Sequence, residues 1–383
     1  MNILVINHDF LFKENLLPYE VLQNLRPDWD FKVVVPPRTK MVRKTISQIP
    51  DTFLELHPIP TFLWQKPQIH LYHPWRLRKI LTAWIPDLVH LNQEPFNFAS
   101  LEILKLLESF APRPKFVVRS SMLEGVKVST KIEPIFRWVE KKILSQVDGV
   151  ECINNMSLSY IRKRNPKTVS AIIPWSRDPG LFSPGPDRGL RAELGLNRFT
   201  VGYFGNLTSQ KDLPTLFKAV SLLKEEGKSI QILIIGDGPE KLRLEVLGKK
   251  LGLGRDIVWH PPVVPEEIVP FYRCLDAFAL CSRTEGHSVE VFGRVLIEAM
   301  ATGIPVIGSN SGAIPEVVGD GGLIFPEGDA KTLADLIKKL MRGQWPAKGT
   351  SPGRTRFLQN YTHSVKAELL NAFFMTVMSK RGL

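Results

Sequence analysis

Residues 290–307 read Glu290-Val-Phe-Gly-Arg-Val-Leu-Ile-Glu-Ala-Met-Ala-Thr-Gly-Ile-Pro-Val-Ile307 and combine a loop, a helix and the start of a buried strand. The periodic apolar residues that follow Gly293 predict a helix that begins at about that glycine. Glu290 then lies in the loop before the helix, and Glu298 lies in its second turn. The first N–H groups of a helix have no partner within it, and the helix dipole favours negative charge there. The segment therefore predicts an anion site between two carboxylates.

The sequence on both sides of this segment alternates between short apolar runs and helical patterns. The apolar runs predict strands at 200–204, 230–235, 257–259, 277–281, 305–308 and 323–325. The helical patterns lie at 213–226, 239–251, 266–272, 293–301, 315–318 and 330–340. This alternation predicts an α/β fold with a parallel sheet covered on both faces. Such sheets bind ligands outside the carboxyl ends of their strands, and the candidate site residues follow strands.

The first half of the chain is less regular. Strands are predicted at 3–6, 32–35, 88–91 and 116–118, and helices at 101–110 and 135–146. Residues 36–80 are rich in proline and aromatic residues, and we expect either an irregular insertion or an amphipathic surface element. A Pro/Gly/Ser cluster at 174–186 is typical of an interdomain linker. The predicted domains are residues 1–177 and 178–359, followed by a helix within 360–383.

The composition describes a globular protein with a basic charge balance. The 383 residues suit two domains, and 44% are hydrophobic and 23% charged. The formal net charge is +12, which favours an anionic partner such as a membrane surface, although a basic surface without a partner explains it equally well. Three cysteines without metal-site spacing, and the lack of a signal peptide or an apolar run long enough to span a bilayer, predict a cytoplasmic protein. Any membrane contact is then peripheral, on the cytoplasmic face.

The segment from Glu290 to Glu298 resembles family 4 of the retaining glycosyltransferases. The motif of that family is a glutamate, seven residues and a second glutamate, with Phe-Gly after the first; Phe292 and Gly293 match the latter. The resemblance continues through the runs 303–307, 312–316 and 321–329. It implies the GT-B fold, in which two Rossmann-like doubly wound domains face each other across a cleft. It also implies that the last helix returns to the N-terminal domain.

The resemblance assigns the donor side of a nucleotide-sugar site to the C-terminal domain. Glu298 would accept hydrogen bonds from the ribose hydroxyls, because a carboxylate suits two neighbouring O–H donors. Glu290 would contact the donor sugar and stabilise positive charge at its anomeric carbon. The backbone amides between the two glutamates would face the pyrophosphate, and they belong to Val291, Phe292, Gly293, Arg294 and Val295.

The resemblance also implies donor contacts from the loops after the first three strands of this domain. In the segment after residue 204, Gly205 and Lys211 match the family, whereas Asn206 replaces its usual arginine. The resemblance implies that Lys211, together with Glu290, is catalytic. A neutral amide binds phosphate without neutralising its charge. We therefore expect a compensating cation from Arg294, Arg283 or the N-terminal domain. Two further contacts are expected, from the turn at Gly236 and from backbone groups near Val263 that would meet the nucleobase.

The acceptor side is marked only by polar residues at predicted strand ends, namely His8, Asn92, Glu94 and Arg119. The histidine that many relatives carry after the fourth strand is absent, and either His8 or His287 would have to take its place unless both are structural. Asp28-Trp-Asp30 has an Asp-x-Asp form that binds metal in another glycosyltransferase fold, but its position predicts a surface turn. We expect neither a metal ion nor a cofactor.

Together these patterns predict an enzyme that moves a sugar from a nucleotide-diphosphate sugar to an acceptor hydroxyl with retention of configuration. The expected partners are that donor, a glycan or lipid-linked acceptor and an anionic membrane surface, in glycolipid, polysaccharide or cell-envelope glycan synthesis. Three alternatives stay open: a nucleotide-sugar epimerase, a phosphorylase, or a non-catalytic nucleotide-sugar-binding protein. Nucleic-acid binding is not expected because no recognisable module accompanies the basic residues.

Overall fold

A computed structural model describes residues 1–7, 12–37, 39–40, 45–46, 49–63, 68–123, 132–264, 267–286, 288–345 and 352–380. The chain forms two compact units, which are Met1–Pro174 with His363–Leu383, and Trp175–Thr362. These are called unit 1 and unit 2. The divisions lie at 174 and 362, compared with 177 and 359 in the sequence-based prediction.

Unit 1 is built on a seven-stranded parallel sheet in the order β11-β10-β9-β8-β1-β2-β5. Its strands are β1 (Asn2–Ile6), β2 (Asp30–Val35), β5 (Glu55–Pro58), β8 (Leu88–Leu91), β9 (Lys115–Ser120), β10 (Gly149–Cys152) and β11 (Val169–Ile172). Its helices are α1 (Lys13–Leu25), α2 (Pro74–Ala83), α3 (Phe98–Leu107), α4 (Glu133–Leu144), α5 (Asn155–Arg164) and α14 (His363–Ser379).

Both faces of this sheet are covered by apolar cores. Leu4 and Ile6 of β1 pack into one cluster with α3 and α4, whereas Ile3 and Val5 pack into the other with α1 and α14. This alternation across one strand is what a parallel sheet buried on both faces requires.

The described residues of the proline-rich stretch at 36–80 are irregular, which agrees with the first of the two sequence-based expectations. Within its described residues lie two short antiparallel pairs, β3 (Thr39–Lys40) with β4 (Thr45–Ile46) and β6 (Thr61–Phe62) with β7 (Leu71–Tyr72). The stretch also contributes β5, which extends the main sheet at its edge beside β2. Trp75 on α2 is 79% exposed.

The helix predicted near the C-terminus is α14, and it is part of unit 1. Lys366 of this helix pairs with the buried carboxylate of Glu151 in β10, with 3.3 Å between Nζ and Oε1. His90 Nε2 lies 3.0 Å from Oε2 of the same carboxylate, and Arg119 Nε lies 3.7 Å from Oε1. Burial alone would raise the pKa of Glu151, but these three groups hold it well below its ordinary value. A carboxylate in a buried strand also explains why β10 has a weak strand signal in the sequence.

Unit 2 is built on a six-stranded parallel sheet in the order β14-β13-β12-β15-β16-β17. Its strands are β12 (Phe199–Phe204), β13 (Ile230–Ile235), β14 (Ile257–His260), β15 (Ala277–Leu280), β16 (Val306–Ser309) and β17 (Leu323–Phe325). Its helices are α6 (Leu190–Glu193), α7 (Leu213–Glu225), α8 (Lys241–Lys250), α9 (Val269–Arg273), α10 (Arg294–Ala301), α11 (Ile314–Val318), α12 (Ala330–Met341) and α13 (Pro352–Asn360).

The order of this sheet reverses at β12, which has β13 on one side and β15 on the other. Such a reversal opens a crevice at the carboxyl ends of the two central strands, and ligands bind there in doubly wound sheets. The loops after β12, β13 and β15 therefore border the candidate site. Among the described residues, none of the helices combines the length and apolar character needed to cross a bilayer.

Candidate functional site

A lysine and a glutamate meet at the carboxyl edge of the unit 2 sheet. Lys211, in the loop after β12, places Nζ 2.5 Å from Oε2 of Glu290, which precedes α10. The same oxygen accepts a hydrogen bond from Ser282 Oγ at 3.0 Å. The two loops are also tied by their backbones, because Arg283 N donates to Gln210 O at 2.8 Å. The structure thus brings together the two residues that the sequence assigned to catalysis.

The helix start at α10 depends on glycine. Gly293 is the N-cap residue with φ of +80°, and a β-carbon there would lie 3.0 Å from Leu280 Cδ2 and from Leu296 Cδ1. The helix begins at Arg294, one residue after the predicted start, and Phe292 packs in the core. Its first-turn amides have the orientation that favours an anion.

The loop that carries Glu290 is held by a second close approach. Ala313 N donates to Glu290 O at 2.9 Å, and a β-carbon on Gly312 would lie 2.1 Å from that oxygen. Gly312 also has φ of +52°, which disfavours other residues. The run 312–316, which is part of the family resemblance, therefore fixes the backbone of Glu290 through its carbonyl oxygen.

Glu298 is buried and held by two side chains of unit 2. Its Oε1 accepts from Arg177 Nε at 2.9 Å and Nη2 at 2.7 Å, and its Oε2 accepts from Tyr272 Oη at 2.8 Å. Burial and the neighbouring carboxylate raise the pKa of Tyr272 well above its ordinary value, so its hydroxyl stays a donor. The carboxylate lies in the second turn of α10, as predicted, with its orientation fixed.

The turns after β12 and β13 pack backbone against backbone. A β-carbon on Gly236 would lie 1.9 Å from Gly205 O, and Leu207 N donates to Asp237 O at 2.9 Å. Asn206 is exposed beside them, with its carbonyl oxygen accepting from Tyr203 Oη at 2.8 Å. Gly236 is therefore required for the packing of two site loops, whatever its contact with a ligand.

The cations considered as substitutes for the missing arginine have other neighbours. Arg283 lies 3.6 Å from Glu285, and both side chains are more than 40% exposed. Arg294 is exposed at the start of α10, and its guanidinium carbon lies 4.9 Å from the centre of the Trp175 ring. Val263 is half-buried in the segment after β14. Which of these groups meets a ligand stays a prediction.

Three of the four residues assigned to the acceptor side, Asn92, Glu94 and Arg119, lie together at the carboxyl edge of the unit 1 sheet. Arg119 Nη1 donates to Asn92 Oδ1 at 3.1 Å, and both residues are buried. Glu94 Oε1 accepts from Ser121 N at 2.7 Å, and burial raises the pKa of Glu94 despite this bond. His8 and His287 lie outside the described residues, so their predicted roles stay untested.

The Asp-x-Asp sequence lies at a surface turn, as predicted. Asp28 pairs with Arg26 at 2.7 Å, which lowers the pKa of Asp28 to about 2. Asp30 is exposed at the start of β2. Within the described ranges, no group of three or more histidine, cysteine, aspartate or glutamate side chains has the arrangement to hold a metal ion.

Three polar residues at the unit 2 site were not identified from the sequence. Arg177 lies in a segment whose proline, glycine and serine content indicated a linker, so nothing local marked it. Tyr272 reads as a core aromatic residue in α9. Ser282 did carry a signal, because it follows a predicted strand directly, where ligand-binding residues of parallel sheets are found.

Comparison with known proteins gives a family match in the same part of the chain. Residues 190–357 match the family model described as "Glycosyl transferases group 1". A D-inositol 3-phosphate glycosyltransferase of Corynebacterium jeikeium is 33% identical over 221 residues, which are 54% of this chain and 52% of the relative. A GDP-mannose-dependent alpha-(1-6)-phosphatidylinositol monomannoside mannosyltransferase of Mycobacterium tuberculosis is 29% identical over 252 residues, 61% of this chain and 64% of the relative. The chain thus spans between half and two thirds of the length of these two relatives.

Solved structures resemble the whole chain in fold. Sucrose-phosphate synthase from Thermosynechococcus elongatus superposes with a TM-score of 0.75 at 19% identity, covering 99% of both chains. The Anabaena protein HepE, solved in complex with UDP, gives a TM-score of 0.73 at 19% identity, covering 98% of this chain and 100% of that one. These likenesses confirm the predicted fold class of two Rossmann-like α/β domains.

Proposed function

We propose that this chain is a retaining glycosyltransferase of family 4 that uses a nucleotide-diphosphate sugar. The match of residues 190–357 to the group 1 glycosyltransferase model supports this, in agreement with the sequence resemblance. The observation that carries the proposal is the 2.5 Å pair of Lys211 with Glu290 beside the start of α10. A cation, a carboxylate and a helix N-terminus together offer what a sugar diphosphate needs: countercharge for its phosphates and an acceptor for its hydroxyls.

In the proposed reaction, the bond between the anomeric carbon and the diphosphate oxygen breaks, and the departing diphosphate takes the electron pair. The acceptor oxygen forms the new bond to the anomeric carbon on the same face and passes its proton to the departing diphosphate oxygen. Lys211 and the amides at the start of α10 stabilise the negative charge that grows on the diphosphate. Glu290 stabilises the positive charge that grows at the anomeric carbon.

Glu298 has a binding role in this scheme. Arg177 donates twice to Oε1 and Tyr272 donates once to Oε2, and a carboxylate has about four acceptor positions in all. At least one position is therefore left for a ribose hydroxyl. Because both carboxylate oxygens are already oriented, the Glu298 side chain would lose little conformational entropy when a ribose binds.

The acceptor is proposed to be a glycan or a lipid-linked hydroxyl compound, in glycolipid, polysaccharide or cell-envelope glycan synthesis. The relatives support this class, since one is named for inositol 3-phosphate and the other for a phosphatidylinositol mannoside. The net charge of +12 supports an acceptor presented at an anionic membrane surface, with the protein in the cytoplasm.

The reaction is proposed to need no metal ion, since Lys211 and the helix start supply countercharge to the diphosphate. Activity would then persist in EDTA at its full rate. Loss of activity in EDTA with recovery on adding manganese would show this part of the proposal to be wrong.

The donor is best sought by thermal shift with UDP-, GDP- and ADP-sugars. A ligand at 100 times its Kd stabilises the folded state by about 2.7 kcal/mol, so the correct donor raises the melting temperature visibly. Transfer to an acceptor, or slow hydrolysis of the donor, would then support the transferase. Epimerised donor without an acceptor would indicate an epimerase, release of sugar phosphate in the presence of phosphate would indicate a phosphorylase, and binding without turnover would indicate a non-catalytic protein.

A further inference from the structure

Two neighbouring helices of unit 1, α4 and α5, run in the same direction. Tyr160 Oη donates to Glu140 Oε1 at 2.7 Å. Five residues further on, directly after α5, Asn165 Nδ2 donates to Leu144 O at 2.5 Å. Each helix follows a strand, α4 after β9 and α5 after β10. Their first turns therefore lie at the carboxyl edge of the sheet, where Glu94 meets Ser121.

The outward face of this helix pair is apolar at that edge. Ile132 is 37% exposed, Ile135 49%, Trp138 58% and Met156 39%. Ile135 precedes Glu140 by five residues and Met156 precedes Tyr160 by four, so the contact between Tyr160 and Glu140 places both at the same end of the pair. Exposed side chains of this size on one patch indicate an interaction surface.

The other end of the helix pair is basic. The exposed charged residues of α4, α5 and the turn after α5 are all cations: Lys141, Arg162, Lys163, Arg164 and Lys167. The two acids of α4 are turned inward, since Glu140 is buried and Glu133 pairs with Arg137 at 2.7 Å. No exposed carboxylate of these described helices opposes an anionic partner.

We propose that this face, defined by Ile135, Trp138, Met156, Lys141, Arg162 and Lys163, is the surface with which unit 1 docks on an anionic lipid bilayer. A tryptophan with aliphatic neighbours suits the headgroup region, and lysines and arginines beside it suit anionic lipid phosphates. Nucleic acid would use the cations but gain little from the isoleucine and methionine side chains. The surface would bring a lipid-linked acceptor to the sheet edge that carries Asn92, Glu94 and Arg119.

This proposal extends the membrane location given with the proposed function, but its test measures lipid binding alone. The full chain is sedimented with vesicles of phosphatidylcholine, with or without phosphatidylglycerol. Failure of sugar transfer would leave a positive lipid result standing, and the two proposals are therefore distinguishable.

Three variants separate the contributions. Ile135→Ser with Trp138→Ser is expected to weaken binding to the anionic vesicles by about tenfold or more, because the apolar contact is lost. Arg162→Gln with Lys163→Gln is expected to weaken it by about 25-fold, at roughly fivefold for each cation. Trp75→Ser, which alters a 79% exposed tryptophan on α2, is the matched control and is expected to bind like the wild type.

Several outcomes would overturn the proposal. One is that the wild-type chain binds vesicles equally well with and without phosphatidylglycerol. Another is that the Trp75→Ser variant loses as much vesicle binding as the variant with Ile135→Ser and Trp138→Ser. A loss confined to the charge variant would indicate a polyanion site, such as one for nucleic acid. If the serine variant fails to fold, Trp138→Phe replaces it. Brominated lipid is then expected to quench the tryptophan fluorescence of the wild type more than that of Trp138→Phe. Equal quenching of the two proteins would contradict the proposal.

Discussion

Replacing Arg177 with alanine tests the role of the buried ion pair behind the donor site. The guanidinium donates twice to Glu298 Oε1, and the side chains of the pair are only 9% and 11% exposed. Without Arg177, the carboxylate keeps Tyr272 as its donor among the contacts described above, and its charge is no longer neutralised. Removing one partner of a buried pair costs about 3–5 kcal/mol, mostly because a charge is left buried. For a unit of this size, the melting temperature falls by about 2–4 °C for each kcal/mol, so a fall of about 6–20 °C is expected.

The assay is urea and thermal unfolding of the full chain, followed by circular dichroism. The matched control is Arg243→Ala, which breaks an i,i+3 pair with Glu240 at 2.9 Å from a side chain that is 73% exposed. That pair is expected to contribute under about 1 kcal/mol. The decisive variant is Arg177→Ala with Glu298→Gln, which removes the unpaired charge and is expected to recover most of the lost stability. The reasoning is refuted if Arg177→Ala behaves like Arg243→Ala, or if the glutamine gives no recovery.

Three further predictions follow from the site and its surroundings. Lys211→Met is expected to lower turnover by about 10²–10³-fold, as loss of a preorganised charge donor does, and wild-type rates of nucleotide release would remove Lys211 from the mechanism. Gly236→Ala is expected to lower both stability and donor affinity because its β-carbon would lie 1.9 Å from Gly205 O. Gly254→Ala, whose β-carbon would lie at an ordinary 3.7 Å from Lys249 Cγ, is the control, and equal melting temperatures would contradict this. Burial raises the pKa of Glu102 from 4.5 to about 7, so the folded state binds the proton more tightly and stability falls as the pH rises from about 4.5 to 7. Glu102→Gln is expected to remove this slope and to raise the free energy of unfolding at pH 8 by about 1–2 kcal/mol, a value reduced because Glu102 is only partly buried. Parallel pH–stability curves for the two proteins would show the idea to be wrong.

The unit 2 sheet was predictable because its central strands β12, β13, β15 and β16 are buried on both faces and so appear as largely apolar runs. The predicted strand at 230–235 is β13, and that at 323–325 is β17. Unit 1 was harder because Glu151 interrupts β10 with a charge that only tertiary contacts neutralise. The edge strand β5 has no such apolar run, since Glu55 and His57 alternate with the neighbouring residues.

For the site, the family resemblance identified Glu290 and Lys211, which are far apart in the sequence and meet in the fold. It gave no indication of Arg177, because the partner of a buried carboxylate is selected by three-dimensional proximity. The resemblance included Gly312 in the run 312–316 but gave no reason for a glycine there, and that reason is the carbonyl of Glu290. Local patterns identify residues that belong to an element, whereas contacts between loops become visible only in the structure.

The contact of Lys366 with Glu151 has a consequence for synthesis on the ribosome. All strands of unit 2 have been translated before α14 emerges, whereas unit 1 must wait for its last helix, although its strands were made first. Until then, the nascent sheet carries a carboxylate whose lysine is still missing and an apolar face that α14 will cover. A chain that stops before His363 would therefore release a folded second unit attached to a first unit prone to aggregate.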